Sequence, residues 1–98
     1  MYDSRLKSED LNNLFEAVLT LKTPEECYMF FEDLCTISEL MSISQRMKVA
    51  SLLKSHHTCH DISEQTGAST ATISRVNRCL NYGAGGYNLV LERLKEGQ

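Results

Sequence analysis

Apolar residues recur every three or four positions along much of this chain, which is the spacing that places them on one face of an α-helix. The first such stretch extends from Glu9 to Leu21, and Ser8 in front of it is suited to cap a helix. Its apolar positions are Leu11, Leu14, Phe15, Val18 and Leu19. The pattern therefore predicts an amphipathic first helix.

A second helix is predicted from Thr23 to about Cys35. Thr23 can cap it, Pro24 fits its first turn, and Glu26 can complete a capping box. Its apolar residues form a band that is too wide for a helix with a single buried stripe. They are Tyr28, Met29, Phe30, Phe31 and Leu34. We expect this helix to be buried on several sides.

Two further capping boxes follow in quick succession, Thr36 with Glu39 and Ser42 with Gln45. They predict a short third helix and then a fourth helix from about residue 43 to residue 54. The apolar spacing assigns the inner face of the fourth helix to Val49, Leu52 and Leu53.

The next two predicted helices are short and closely spaced. Thr58 can cap a fifth helix that is anchored by Ile62 and ends at Gly67. Ser69 can cap a sixth helix from Thr70 to about residue 81. Its inward positions are Ile73, Val76 and Leu80. Residues 82–86 are rich in glycine and predict a flexible joint before a last helix with Leu89, Val90, Leu91 and Leu94.

The tight turn Gly67–Ala68–Ser69 between the fifth and sixth helices matches the helix-turn-helix layout, in which the second helix enters the DNA major groove. Short side chains at the start of that second helix allow a close approach to base edges and phosphates. They belong to Thr70, Ala71, Thr72 and Ser74, and Arg75 and Arg78 add positive charge. A helical hairpin with a solvated polar face fits the same pattern. The turn glycine, the apolar anchors and the arginines together favour the helix-turn-helix.

Composition agrees with an all-α chain. The 98 residues include one proline, five glycines and no tryptophan, which leaves little material for a turn-rich β architecture. We predict a single domain over residues 1–98, with dimerisation helices mainly in 1–42, the helix-turn-helix region in 43–82 and a C-terminal helix in 87–98. A homodimer is expected because the first two helices carry more apolar surface than one short chain covers.

Charge is unevenly distributed along the chain. Residues 1–42 hold three basic and nine acidic residues, whereas residues 43–98 hold seven basic and four acidic residues. The net charge of -3 therefore divides into -6 and +3. Any surface that binds phosphates should lie in the second part.

The chain shows no apolar run long enough to span a bilayer, and its start, MYDSRLKSED, lacks the apolar core of a signal peptide. We expect a cytoplasmic protein without a membrane partner. Its four cysteines lie far apart and form no C-x-x-C pair. In a reducing compartment they are expected to be free thiols that act as small buried hydrophobes.

The stretch EQTGASTATISRVNRCLNYG, residues 64–83, resembles the Trp repressor superfamily, and closely its YerC/YecD-type branch. The resemblance is specific over residues 42–83. It implies a multi-helix Trp-repressor-like fold, an intertwined homodimer, and double-stranded operator DNA as the partner. The Trp repressor is itself one of the proteins that define helix-turn-helix docking, so the docking geometry comes with the resemblance.

Carried over residue by residue, the resemblance assigns base and phosphate contacts to the start of the sixth helix. They fall on Thr70, Ala71, Thr72 and Ser74. Arg75 matches the arginine that flanks the indole in tryptophan-binding members. The phosphate-side positions before the turn fall on Cys59, His60 and Ser63, which are poorer donors than that branch uses.

The effector pocket implied by the resemblance departs from the tryptophan-binding pattern. Its small residues match Val76 and Cys79, and Val76 adds bulk where a glycine stands. The second arginine of the pocket falls on Gln45, or on Arg46 if one gap is allowed. The resemblance therefore implies DNA binding without tryptophan sensing, and an effector of unknown identity stays open.

Three rival functions compete with that of a DNA-binding repressor. The segment His56–His60 holds four potential metal ligands in five residues, which cannot all reach one tetrahedral ion, so no metal or cofactor is predicted. The sequence contains no paired carboxylates, no glycine elbow and no phosphate loop, so no motif in it indicates an enzyme. An interaction module that retains the helix-turn-helix as a scaffold is the alternative, because the first part of the chain is acidic and aromatic.

Overall fold

The computed structural model describes residues 2–97, and within that range it contains six α-helices and no strand. The helices are α1 (Glu9–Val18), α2 (Pro24–Leu34), α3 (Ile37–Lys54), α4 (Cys59–Thr66), α5 (Thr70–Tyr82) and α6 (Gly86–Glu96). The predicted all-α fold is confirmed. The chain divides into two compact units, one that ends at Ile37 and one that begins at Ser38.

The first unit contains α1 and α2, and both begin at the predicted caps. The Ser8 hydroxyl accepts a hydrogen bond from the Leu11 N–H at 3.1 Å, and the Thr23 hydroxyl accepts one from the Glu26 N–H at 3.2 Å. The Glu26 carboxylate accepts the Lys22 N–H at 2.8 Å, although a helix-start capping box would place that bond on residue 23. These bonds satisfy amides that have no partner inside a helix.

Helix α1 ends at Val18, three residues before the predicted end. The Thr20 hydroxyl donates to the Ala17 carbonyl at 2.6 Å, and such local side-chain bonds compete with continuation of a helix.

The prediction that α2 is buried on several sides is wrong for the single chain. Neither α1 nor α2 contributes a buried residue, and Tyr28 and Met29 are 70% and 69% exposed. The rings of Phe30 and Phe31 pack edge to face, with their centroids 5.4 Å apart.

The predicted helix start at Ser42 is also wrong, because α3 runs without a break from Ile37 to Lys54. No glycine or proline interrupts this stretch. Extending an existing helix adds one hydrogen bond per residue, whereas a new start requires a costly nucleus. A capping sequence inside a continuous helical pattern therefore does not end the helix, and Ser42 lies exposed on its surface.

The second unit is built around one core, in which α5 packs against both α4 and α6. Its buried side chains are Val49, Ala50 and Leu52 of α3, Ile62 of α4, Ala68 of the turn, and Ile73 and Val76 of α5. Leu53, Leu80, Tyr87 and Leu91 pack against this core. The predicted inner faces of these helices are confirmed.

Two connections frame this core. After α3, His56 adopts a left-handed φ of 65°, while the N–H groups of His56 and His57 donate to the carbonyls of Leu53 and Leu52. After α5, the joint comprises residues 83–85, shorter than predicted, because Gly86 already begins α6. The Asn88 amide donates to the Leu80 carbonyl at 2.9 Å and so fastens α6 to α5.

The cysteines are free, but the expectation that they are buried is wrong for this chain. Cys27, Cys59 and Cys79 are exposed and Cys35 is half-buried, and neither Cys59 nor Cys79 belongs to the core of the second unit. Among the described residues, no helix is both long enough and apolar enough to cross a membrane.

Candidate nucleic-acid interface

The turn between α4 and α5 is closed by the two residues predicted to shape it. Gly67 ends α4 with a φ of +73°, which is accessible to glycine but strained for other residues, and its N–H donates to the Ser63 carbonyl at 2.9 Å. Ser69 begins α5, where its hydroxyl accepts the Thr72 N–H at 3.1 Å. These bonds set where one helix stops and the next starts.

A threonine that sequence reasoning missed organises the inside of this turn. The Thr66 hydroxyl donates to the Ile62 carbonyl at 2.7 Å and accepts the Ala68 N–H at 3.1 Å. The Ser63 hydroxyl donates to the Ala68 carbonyl at 3.2 Å. Both backbone groups of Ala68 are thus satisfied while its side chain is buried. The sequence signal that could have identified Thr66 is its position, because it carries a hydroxyl and stands directly before the glycine that ends α4.

Helix α5 has a buried side and an opposite exposed side. Ile73 and Val76 are buried, and the exposed residues at helical spacing define what we call the recognition face. The recognition face comprises Ala71, Ser74, Arg75, Arg78 and Tyr82. Because α5 contains no Asp or Glu, its two arginines give it a positive charge that no carboxylate of the helix neutralises.

The first turn of α5 adds two threonines beside the recognition face. Thr70 is exposed, whereas Thr72 is half-buried and its hydroxyl accepts a hydrogen bond from the Ser69 hydroxyl at 3.1 Å. Thr72 is therefore held in a fixed orientation by the residue that caps the helix. This start of α5 brings together all four of the small residues that the sequence predicted as DNA contacts.

The predicted phosphate-side residues of α4 make contacts within the chain. The His60 ring lies 3.3 Å from the Glu64 carboxylate, with both side chains largely exposed. Ser63 donates to the turn, as described above, and Cys59 is the exposed first residue of α4. Asp61 and Glu64 place two acidic groups on this helix. Positive charge in the helix-turn-helix is thus concentrated on α5.

The residues predicted for an effector pocket lie in different environments. Val76 is 1% exposed and belongs to the core, whereas Arg75 and Cys79 are exposed. Gln45 and Arg46 are half-buried on α3, and the Gln45 amide donates to the Thr66 carbonyl at 3.1 Å. A groove of about 360 Å³ includes Gln45 in its lining but no residue of α5.

The histidine-rich segment does not converge on a metal position. Within residues 2–97, no group of three or more His, Cys, Asp or Glu side chains could hold a metal ion. The His57 ring contacts the Leu52 carbonyl at 3.3 Å, and His56 and His60 are exposed.

Comparisons with known proteins agree with this arrangement. The family model described as Trp repressor protein matches residues 9–95. YerC of Bacillus subtilis (strain 168), described as uncharacterised, is 53% identical over 96 residues, which cover 98% of this chain and 92% of YerC.

Two solved structures are similar over almost the whole chain. A TrpR-like protein from Eubacterium eligens is 58% identical with a TM-score of 0.90, and the match covers 93% of this chain and 94% of that one. A candidate Trp repressor from Staphylococcus aureus is 48% identical with a TM-score of 0.89, covering 93% of this chain and 91% of that one.

Proposed function

This chain belongs to the Trp repressor family, and from that premise we propose that it is a sequence-specific DNA-binding transcriptional regulator, a repressor that acts as a homodimer. The observation that carries the proposal is the recognition face of α5, which is exposed, free of acidic residues and preceded by a rigidly closed turn. Such a regulator works on chromosomal DNA, in agreement with the predicted cytoplasmic location.

The dimensions of α5 determine how it would meet DNA. Its 13 residues span about 20 Å at 1.5 Å per residue, whereas the major groove is about 12 Å wide. The first turns therefore enter the groove, and Thr70, Ala71, Thr72 and Ser74 reach base edges and nearby phosphates. Arg75 and Arg78 lie further along the helix and bind phosphates, with His60 and Ser63 of α4 on the flanking backbone.

The exposed apolar surface of α1 and α2 supports the homodimer. Side chains of this size normally leave solvent when a partner is present, and contiguous apolar patches on monomers are usually small. The exposed members are Phe15, Tyr28, Met29 and Leu34, together with Leu19 directly after α1. We assign residues 1–42 mainly to dimerisation, residues 43–82 to DNA binding and residues 87–98 to the C-terminal helix of the same domain.

Tryptophan is not proposed as an effector. Val76 is part of the core at the position where tryptophan-binding members have room for the indole, and the amide of Gln45 is hydrogen-bonded to α4. An effector of other chemistry is not assigned.

One observation favours a second candidate function. The acidic first part of the chain exposes aromatic side chains, as a protein-interaction module would, with the helix-turn-helix kept only as a scaffold. The two functions differ in whether changes on α5 alter DNA binding while the protein stays folded.

The test is a selection of bound duplexes from a random pool, followed by sequencing, with the parent protein and with Thr72→Ala. We expect the parent to enrich a palindromic site, because a two-fold dimer presents two equivalent helices. Thr72→Ala should relax the base preference more than it lowers total binding, since its hydroxyl reaches base edges. Thr72→Ser, which keeps the hydroxyl, is the matched control. Failure of the parent to enrich any sequence would favour the interaction module.

A further inference from the structure

Helix α4 is attached to its unit through one fully buried side chain. Ile62 is 0% exposed, whereas every other residue of α4 is exposed or half-buried. Apolar contact is non-directional, so Ile62 holds the helix without fixing its rotation. A directional contact is needed to set the orientation of α4 and of the turn that follows.

Gln45 of α3 supplies that directional contact. Its Nε2 donates to the Thr66 carbonyl at 3.1 Å in a partly buried position, and the two residues are 21 positions apart in the chain. Carbonyls in the last turn of a helix have no partner inside the helix, so this bond satisfies a group that would otherwise need water. The Thr66 hydroxyl is itself hydrogen-bonded to Ile62 and Ala68. Gln45 therefore binds the residue that organises the inside of the turn.

The neighbours of Gln45 show that this contact is specific to one side chain. Ser44 and Lys48 line the same groove between α3 and the end of α4, and both are exposed. Within residues 2–97, neither of them forms a side-chain hydrogen bond with α4. Ser44 therefore offers a matched control, because it shares the helix and the groove with Gln45 but not the bond.

We propose that Gln45 is the positioning residue of the helix-turn-helix: it fixes the turn on α3 by a contact within the chain, so the DNA-binding orientation needs no small-molecule effector. The inference rests on the proposed function, since its consequence is measured on DNA. Without the bond, part of the population would hold α4 in other orientations. The apparent affinity falls in proportion to the fraction that remains competent.

The experiment compares the parent with Gln45→Met, which keeps the volume but removes the donor, and with Ser44→Ala. Amide hydrogen exchange is measured on the free protein, and binding to the selected duplex is measured without any added small molecule. In Gln45→Met, the amides of Gly67 and Ala68 should exchange about three- to tenfold faster, with a similar loss of affinity on every sequence. Core amides such as those of Val49 and Ile73 should not change. Ser44→Ala should match the parent in both measurements.

Several outcomes would overturn the proposal. Equal exchange in the parent and Gln45→Met would show that the bond does not hold the turn, and faster exchange throughout the unit would show general destabilisation instead of positioning. A parent that binds its duplex only after a small molecule is added would refute independence from an effector. A parent that binds no duplex would defeat the proposed function, while the exchange of Gly67 and Ala68 would still decide the role of Gln45.

Discussion

Arg75 and Arg78 lie about one turn apart on the recognition face, and both are exposed. Neither forms a salt bridge within residues 2–97. An arginine in this condition loses little when it binds a phosphate, because no existing ion pair has to break. We therefore expect the pair to supply the sequence-independent part of the affinity for DNA, and the small residues before it to discriminate between bases.

Replacing Arg75 or Arg78 by alanine should weaken binding to all duplexes alike. Each lost phosphate contact should also make the negative slope of log affinity against log salt shallower by about 0.9, since about one fewer counterion is released. The measurement is fluorescence anisotropy with specific and unrelated duplexes over a series of salt concentrations. Arg93→Ala, which removes an exposed arginine from α6, is the control and should leave the slope unchanged. Unchanged binding of folded Arg75→Ala and Arg78→Ala proteins would contradict the prediction.

Tryptophan should not bind this protein or change its affinity for DNA. Val76 already fills space in the same core cluster as Ile62 and Ile73, so an indole placed there would have to displace packed side chains. Isothermal titration of the free protein with tryptophan, and of the duplex complex in its presence, checks this. Titration of the same protein with duplex confirms that it is active. Micromolar affinity for tryptophan, or sharply stronger operator binding with it, would contradict the prediction.

The residues that could be predicted from sequence are those with local roles. Ser69 and Gly67 follow from capping rules, because their hydrogen bonds join residues three or four positions apart. Gln45 could not be assigned its contact, since its partner Thr66 lies far along the chain and only the packing of α3 beside α4 brings them together. The same limit applies to Ala68, which is buried because the turn folds inward.

At the scale of elements, helix existence was more predictable than helix boundaries. Five helices begin directly after a residue that the sequence predicts as a cap, but the capping box at Ser42 predicts a helix start that is absent, because the residues on both sides favour helix.

The joint between α5 and α6 was predicted from its glycines, and the structure shows at which of them a side chain would clash. Gly83 ends α5 with its N–H donating to the Cys79 carbonyl at 2.9 Å.

Gly83→Ala should destabilise the protein, whereas Gly86→Ala should not. A Cβ on Gly83 would lie 2.5 Å from the Cys79 carbonyl oxygen and 3.0 Å from the Cys79 Cα, and both are backbone atoms, so the last turn of α5 would have to open. We expect a loss of about 1–3 kcal/mol. At Gly86 nothing lies within 4 Å of a built Cβ, and alanine in this first turn of α6 should be neutral or stabilising by up to about 1 kcal/mol.

Thermal unfolding of these two variants and the parent measures the difference. A domain of this size shifts its Tm by roughly 4–8 °C per kcal/mol. Equal Tm values for Gly83→Ala and Gly86→Ala would show that the last turn of α5 can open without loss of stability. Such a result would mean that the joint tolerates a side chain at either glycine.

At the scale of the whole molecule, the uneven distribution of acidic and basic residues along the chain is consistent with the proposed function. Residues 1–42 carry a net charge of -6, whereas the charged side chains of α5 are all positive. Duplex DNA repels the acidic first part of the chain and attracts α5, so α5 is the helix that we expect to meet DNA. The all-α class and the helix-turn-helix followed from the sequence. The exposure of α2 in the single chain was not predicted, because the width of an apolar band shows how much surface needs cover but not whether the same chain or a partner supplies it.

The homodimer is the last prediction, and it follows from that exposed surface. In solution the protein should have twice the chain mass of 11.1 kDa at micromolar concentration, as measured by light scattering after size exclusion. Met29→Glu should lower the dimer fraction strongly, because a buried unpaired carboxylate is costly at an interface. Tyr82→Glu is the control, since Tyr82 is 87% exposed and lies on the recognition face, outside residues 1–42, while Met29 is 69% exposed. In the single chain both substitutions put a charge on an exposed position and should be tolerated equally. A folded parent that stays monomeric at micromolar concentration would refute the dimer, and equal dimer fractions for the two variants would exclude Met29 from its interface.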